Sequence, residues 1–138
     1  MHYEEVETLL RRSGDYLELA NEAFEREKYD TAVFLAEQAL QLYLKALIVK
    51  YSDVRLRTHS IRELLKGIGD ALGAEDAVAK FVRQNRGLLR ELEEAYTGAR
   101  YEPKVYHRED AEEIINFTLE VMEFVEGLAD AFERGSSE

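Results

Sequence analysis

The sequence predicts an all-α fold, an up-and-down helical bundle of four main helices plus a short fifth. Three observations predict it. Apolar residues recur at three-and-four spacing almost throughout, and no segment alternates with period two. Helix-start signals stand where each new stripe begins. The breaks are short, with no internal repeat and no low-complexity linker, which leaves one bundle rather than two domains. Residues 1–133 are expected to form that single helical domain, with 134–138 as a disordered tail.

The elements follow in order. Residues 3–27 carry Val6, Leu9, Leu10, Ser13, Tyr16, Leu17, Ala20 and Phe24 as one stripe on an otherwise charged helix. Asp30 is placed to cap a second helix, TAVFLAEQALQLYLKALIVKY, by accepting from its first-turn N–H groups. That helix is apolar nearly all round, interrupted mainly by Glu37, Gln38, Gln41 and Lys45, so it requires burial on every side. It is a central helix, or one whose outer face packs on a second subunit. After a break at SDVRLRTH, Ser60 and Glu63 make a capping box for a short helix, IRELLKGI. Gly67, Gly69 and Gly73 then loosen the chain. Residues 75–96 form a fourth helical region with a weak point at Gln84–Gly87, and Gly98 is a left-handed terminator. The last helix begins at an Asp110 cap with Glu113 and carries Ala111, Ile114, Ile115, Thr118, Met122, Val125, Leu128, Ala129 and Phe132.

With 138 residues the chain is large enough to bury a core without staples. It has no cysteine, hence no disulfide and no thiolate ligand or nucleophile. Its start is acidic rather than signal-like, and no segment reads as the roughly 20 apolar residues of a bilayer span. A cytoplasmic protein without a membrane partner is expected. The net charge of −11 opposes indiscriminate nucleic-acid binding. The cations are nonetheless grouped. Lys45, Lys50, Arg55, Arg57, Arg62 and Lys66 form one set, and Lys80, Arg83, Arg86 and Arg90 another. A local basic groove on an acidic body and a set of solvated helix faces both fit this grouping.

Several chemistries lack their residues. There is no phosphate-loop or dinucleotide glycine pattern. The three histidines, His2, His59 and His107, lack the spacing that sets two ligands on one helix face, so no metal site and no cofactor is expected. Attention falls on AYTGARYEPKVYH, residues 95–107, which holds the only proline, Pro103. Metal-free phosphodiester cleavage needs a group that moves a proton and a cation that steadies charge on phosphate. His107 suits the first and Arg100 the second, converging across the bend at Pro103. The plainer alternative pairs Arg100 with acids of the last helix and leaves His107 exposed before Asp110. His59 reads as a capping-region or packing histidine. Glu37 and Lys45, charged on an apolar helix, each require a partner or a cleft.

The chain resembles the HEPN domain family. The resemblance rests on REKYDTAVFLAEQALQLYLKALIVK, on THSIRELL, and on AYTGARYEP before the last helix. It implies a helical bundle that forms a homodimer, often paired with a minimal nucleotidyltransferase in toxin–antitoxin-like systems. Many members are metal-independent ribonucleases using an R-x4–6-H motif at the dimer interface. On that pattern Arg100 and His107 are the catalytic pair, with Lys45, Arg55, Arg57 and Tyr101 guiding RNA or a nucleotide. The R-Y-x-P form seen here also occurs in a branch for which nucleotide binding without catalysis is proposed. That alternative is a binding module that docks the nucleotidyltransferase.

Overall fold

The structure is a computed structural model that describes residues 2–101 and 104–136; for residues 97–101 and 136 it describes the backbone alone. Among the described residues the chain forms six helices and no strand: α1 (Tyr3–Glu25), α2 (Tyr29–Ser52), α3 (Ile61–Leu72), α4 (Glu75–Gln84), α5 (Arg86–Tyr101) and α6 (Arg108–Ser136). The all-α class holds, with more elements than expected. Residues 75–96 divide at the weak point: Asn85 caps the end of α4, its side-chain amide donating to Phe81 O at 2.9 Å.

The helix with no polar face lies at the centre. Val33, Ala36, Leu40, Leu44, Leu47 and Ile48 are all buried, and helices α1, α3, α5 and α6 of the same chain surround α2. Its apolarity therefore needs no second subunit. By length and composition α2 also passes for a membrane span, contrary to the sequence reading, but 67% of the apolar window is buried within the protein, as in a core helix. Burying each Leu or Ile here stabilises the fold by roughly 1.5–3 kcal/mol.

Helix α1 runs antiparallel to α2. Val6 packs with Ala46 and Val49 at one end, and Ala20 and Ala23 meet Ala32 and Ala36 at the other. Ser13 belongs in this stripe because its buried hydroxyl donates to Ala39 O at 2.7 Å. Residues 26–28 close the turn, with Glu27 in the left-handed region at φ 61°. Helix α6 lies parallel to α2. Tyr43 donates to Met122 O at 3.4 Å, and further along Tyr51 donates to the Glu133 carboxylate and meets Phe132 edge-on at 5.5 Å. Lys50 Nζ is 3.8 Å from the same carboxylate. α6 continues to Ser136, and Glu133 ties its last turns to α2.

Three local expectations are corrected. Gly67 and Gly69 do not loosen α3, which is continuous to Leu72 and ends at Gly73, φ 63°. A Cβ at Gly67 would sit 2.7 Å from Leu56 Cδ1 and 3.0 Å from Ile48 Cδ1, so this glycine permits close approach to α2. Helix α5 runs through Gly98 to Tyr101, since a glycine costs a helix only about 1 kcal/mol and does not by itself end one. Finally, neither aspartate caps as expected. Asp30 Oδ1 instead accepts the backbone N–H of Tyr106 at 2.9 Å. Asp110 lies inside α6, three residues after His107, and its Oδ2 accepts the His107 N–H at 2.9 Å. It fills the acceptor half of a capping box rather than the cap position.

Candidate functional site at the junction of α2, α3 and α5

The site is assembled around the start of α3. Ser60 caps that helix, its Oγ accepting Glu63 N–H at 3.2 Å as the capping-box pattern predicts. The Glu63 carboxylate takes Thr58 Oγ–H instead of the cap's own N–H, which Thr58 Oγ accepts at 3.0 Å. Glu93 of α5 then fastens the assembly. Its Oε2 accepts Ser60 Oγ–H at 2.8 Å and Arg62 N–H at 2.9 Å. Its Oε1 accepts the Arg62 guanidinium at 2.6 and 3.1 Å. Burial alone would raise the Glu93 pKa, but the Arg62 and Ser60 donors outweigh it and hold the carboxyl below its ordinary range.

This clamp fixes the residue just before Ser60. His59 stacks on Tyr96 of α5, ring centroids 4.8 Å apart and 17° between planes. Its Nδ1 lies 3.3 Å from Gln41 Oε1. The Gln41 amide nitrogen donates to Glu37 Oε2 at 2.7 Å, and Gln38 donates to Oε1 at 3.0 Å. Glu37 is fully buried, and among the described residues its hydrogen-bond partners are these two amides. Burial pushes its carboxyl up to about 7; the amides and Lys45 act in the opposite direction, while Glu93 raises it further. Lys45 is half-buried on the same stripe of α2, one turn beyond Gln41. The polar interruptions of the apolar helix thus form a single line leading from the core to an exposed histidine.

The other sequence-selected residues lie elsewhere. His107 is exposed at the start of α6. Its neighbour Tyr106 is held by Asp30, and Asp30 precedes Gln41 by eleven positions of α2, about 16 Å along the helix axis. His107 and His59 therefore sit at different levels of the bundle. Arg100 and Tyr101 belong to the last turn of α5, with Arg100 one turn after Tyr96. The side chains of both, and the whole of Pro103, lie outside the described residues. Arg55 is bound by its own chain: its guanidinium contacts Glu5 at 2.6–3.1 Å and the carbonyl and carboxylate of Asp53 at 3.0–3.1 Å. These acids drive its pKa further upward, and the guanidinium in turn holds the Glu5 carboxyl below its ordinary range. Arg57 is exposed and lines a groove of about 600 Å³ with Leu56, Lys66, Glu63 and Asp70. A second groove of about 450 Å³, between α3 and α4, has an apolar floor of Val78, Ala79 and Val82 rimmed by Arg62, Lys66 and Arg83 with one acid, Glu75.

His59, Gln41 and Tyr96 are thus the residues that sequence reasoning left out of the site. The available signal was the i, i+4, i+8 line of Glu37, Gln41 and Lys45 on an otherwise apolar helix. Neither a curated protein nor a solved structure matches the chain. A family model, the HEPN domain, matches residues 6–128, spanning all but the ends of the helical unit described above. On that match and on its all-helical fold, the chain belongs to the HEPN domain family.

Proposed function

We propose that the protein cleaves RNA without a metal, as one half of a pair with a minimal nucleotidyltransferase. The observation that carries this reading is the open edge of His59. It is set between Gln41 and Tyr96, and Arg100 follows one turn later on the same helix. A neutral imidazole can take the proton of a ribose 2′-hydroxyl, and a guanidinium steadies the phosphate as that oxygen attacks. Arg100 takes the phosphate role that the family motif gives it. That motif also names His107, with six residues between the two, as the proton carrier. Lys45 and Arg57 are exposed or half-exposed cations suited to guide the strand, with Tyr101 as a stacking surface. Dimerisation, implied by the family, would set two such sites in one particle.

The test is cleavage of an end-labelled RNA in the presence of EDTA. Wild-type protein is expected to cut, and Arg100→Ala to lose at least a hundredfold in rate. Absence of cleavage by wild type, or equal cleavage by the variant, ends the ribonuclease reading. Light scattering reads the dimer, and co-purification with a co-expressed minimal nucleotidyltransferase reads the pair.

A second reading is favoured by the charge of the body. At net −11, and with Arg55 bound to Glu5 and Asp53, the body repels a long phosphate backbone. A single nucleotide needs little more than one arginine and a stacking ring. This reading gives saturable nucleotide binding by calorimetry, weakened in Arg100→Ala or Tyr101→Ala, without turnover.

A further inference from the structure

We propose that His59 is the catalytic base of this site, with Gln41 and Glu37 as the positioning residues that keep its Nε2 free to accept a proton. The proposal rests on the ribonuclease reading and reassigns one of its roles from His107.

The argument begins at the buried end. Above pH 7 Glu37 is ionised, and an ionised carboxylate only accepts hydrogen bonds. Facing Glu37, Gln41 must therefore turn its NH2 group inward at 2.7 Å. An amide has one nitrogen and one oxygen, so Gln41 is left presenting oxygen to His59 Nδ1 at 3.3 Å. An acceptor at that position requires hydrogen on Nδ1. Neutral imidazole carries a single N–H, so Nε2 is left as a lone pair. Among the described residues Nε2 has no hydrogen-bond partner, and His59 is exposed. Tyr96 holds the ring plane by stacking, and Glu93 holds the Ser60 hydroxyl and the Arg62 backbone N–H that follow the histidine. The result is an oriented base at the surface whose tautomer is dictated from the core. This is an orienting network of the kind that fixes catalytic histidines. Among the described residues, the contact that holds His107 is made by its backbone N–H.

The chemistry closes on itself. Nε2 takes the 2′-hydroxyl proton, the 2′-oxygen bonds to phosphorus, and the bond from phosphorus to the 5′-oxygen breaks. The leaving 5′-oxygen takes a proton from solvent, and His59 returns the one it holds to solvent. The products are a 2′,3′-cyclic phosphate end and a 5′-hydroxyl end, with no net change in protons.

The test combines cleavage rates with the histidine tautomer in the full-length protein. In EDTA, His59→Ala is expected to lose a hundredfold or more in kcat, in the range of general-base catalysis, while His107→Ala stays within threefold. Gln41→Ala and Glu37→Gln are expected to lower kcat with KM within twofold. His59→Asn, which retains a donor toward Gln41, checks that the loss is not one of folding. Long-range 1H–15N spectra at pH 8 should show the His59 Nε2 without its proton in wild type, and a mixture of tautomers in Gln41→Ala. If wild type cleaves and His59→Ala cleaves equally, or if Nε2 carries the proton, this assignment is overturned while the ribonuclease reading stands. If wild type cuts no RNA, both fall together.

Discussion

Asp30, in the first turn of α2, accepts the backbone N–H of Tyr106 at 2.9 Å, joining positions 76 residues apart in sequence. An acid that local sequence rules assign to its own helix end is instead the anchor of the connector into α6. Asp30→Ala leaves that half-buried N–H without its partner. We expect a loss of about 1–3 kcal/mol in urea unfolding and faster hydrogen exchange at Tyr106. Asp30→Asn, which retains an acceptor oxygen, should lose less.

Glu37 makes stability depend on pH in an unusual direction. Its folded pKa, about 7, lies above the ordinary 4.5, so its carboxyl favours folding in the protonated form. Its contribution is fully present below pH 4.5 and is lost as pH rises to 7, a change of about 3 kcal/mol. Glu37→Gln should flatten that interval and be more stable than wild type at pH 8. Urea midpoints from pH 4.5 to 8 measure it; parallel curves for the two proteins would contradict it.

Glu93 has the opposite sign. Its pKa is held below 4.5 by Arg62 and Ser60, so its contribution is present above pH 4.5 and lost as pH falls below that value. Glu93→Ala is expected to cost about 2–3 kcal/mol at neutral pH, as for charge-assisted bonds at a partly buried site. A double-mutant cycle with Arg62→Ala should return a coupling above 0.5 kcal/mol, beyond that of independent sites.

If RNA is the ligand, the cations should divide by their present commitments. Arg57→Ala and Lys45→Ala are expected to weaken binding and to reduce the salt slope by about 0.7 each. Arg55→Ala should change affinity less than twofold, because its guanidinium is already held by Glu5 and Asp53. Fluorescence anisotropy across a salt series separates the cases.

What was legible in the sequence was periodic. The stripe of α1, the all-round burial of α2 and the Ser60 cap follow from residues within a few turns of one another, where spacing and burial are linked. What was not legible depended on partners remote in the chain. Nothing near Asp30 points to Tyr106, and nothing near His59 points to Tyr96. Gly98 shows the same limit, because a residue that tolerates a break does not impose one. The candidate site was half visible: Glu37 and Gln41 stood out as polar positions on an apolar helix, but their direction toward His59 appeared only when α3 and α5 were in place.

The turn at residues 26–28 also bears on how the chain acquires its shape. Joined by so few residues, α1 and α2 close against each other at little cost in loop entropy. Their alanine-lined seam brings together positions only some 9–16 residues apart. This hairpin is then the natural nucleus, and it offers the remaining faces of α2 as a template on which α3, α5 and α6 condense. Kinetics should report this as a polarised transition state. Truncations in the seam, such as Ala20→Gly or Ala36→Gly, should mainly slow folding, whereas Val121→Ala or Val125→Ala in α6 should mainly speed unfolding.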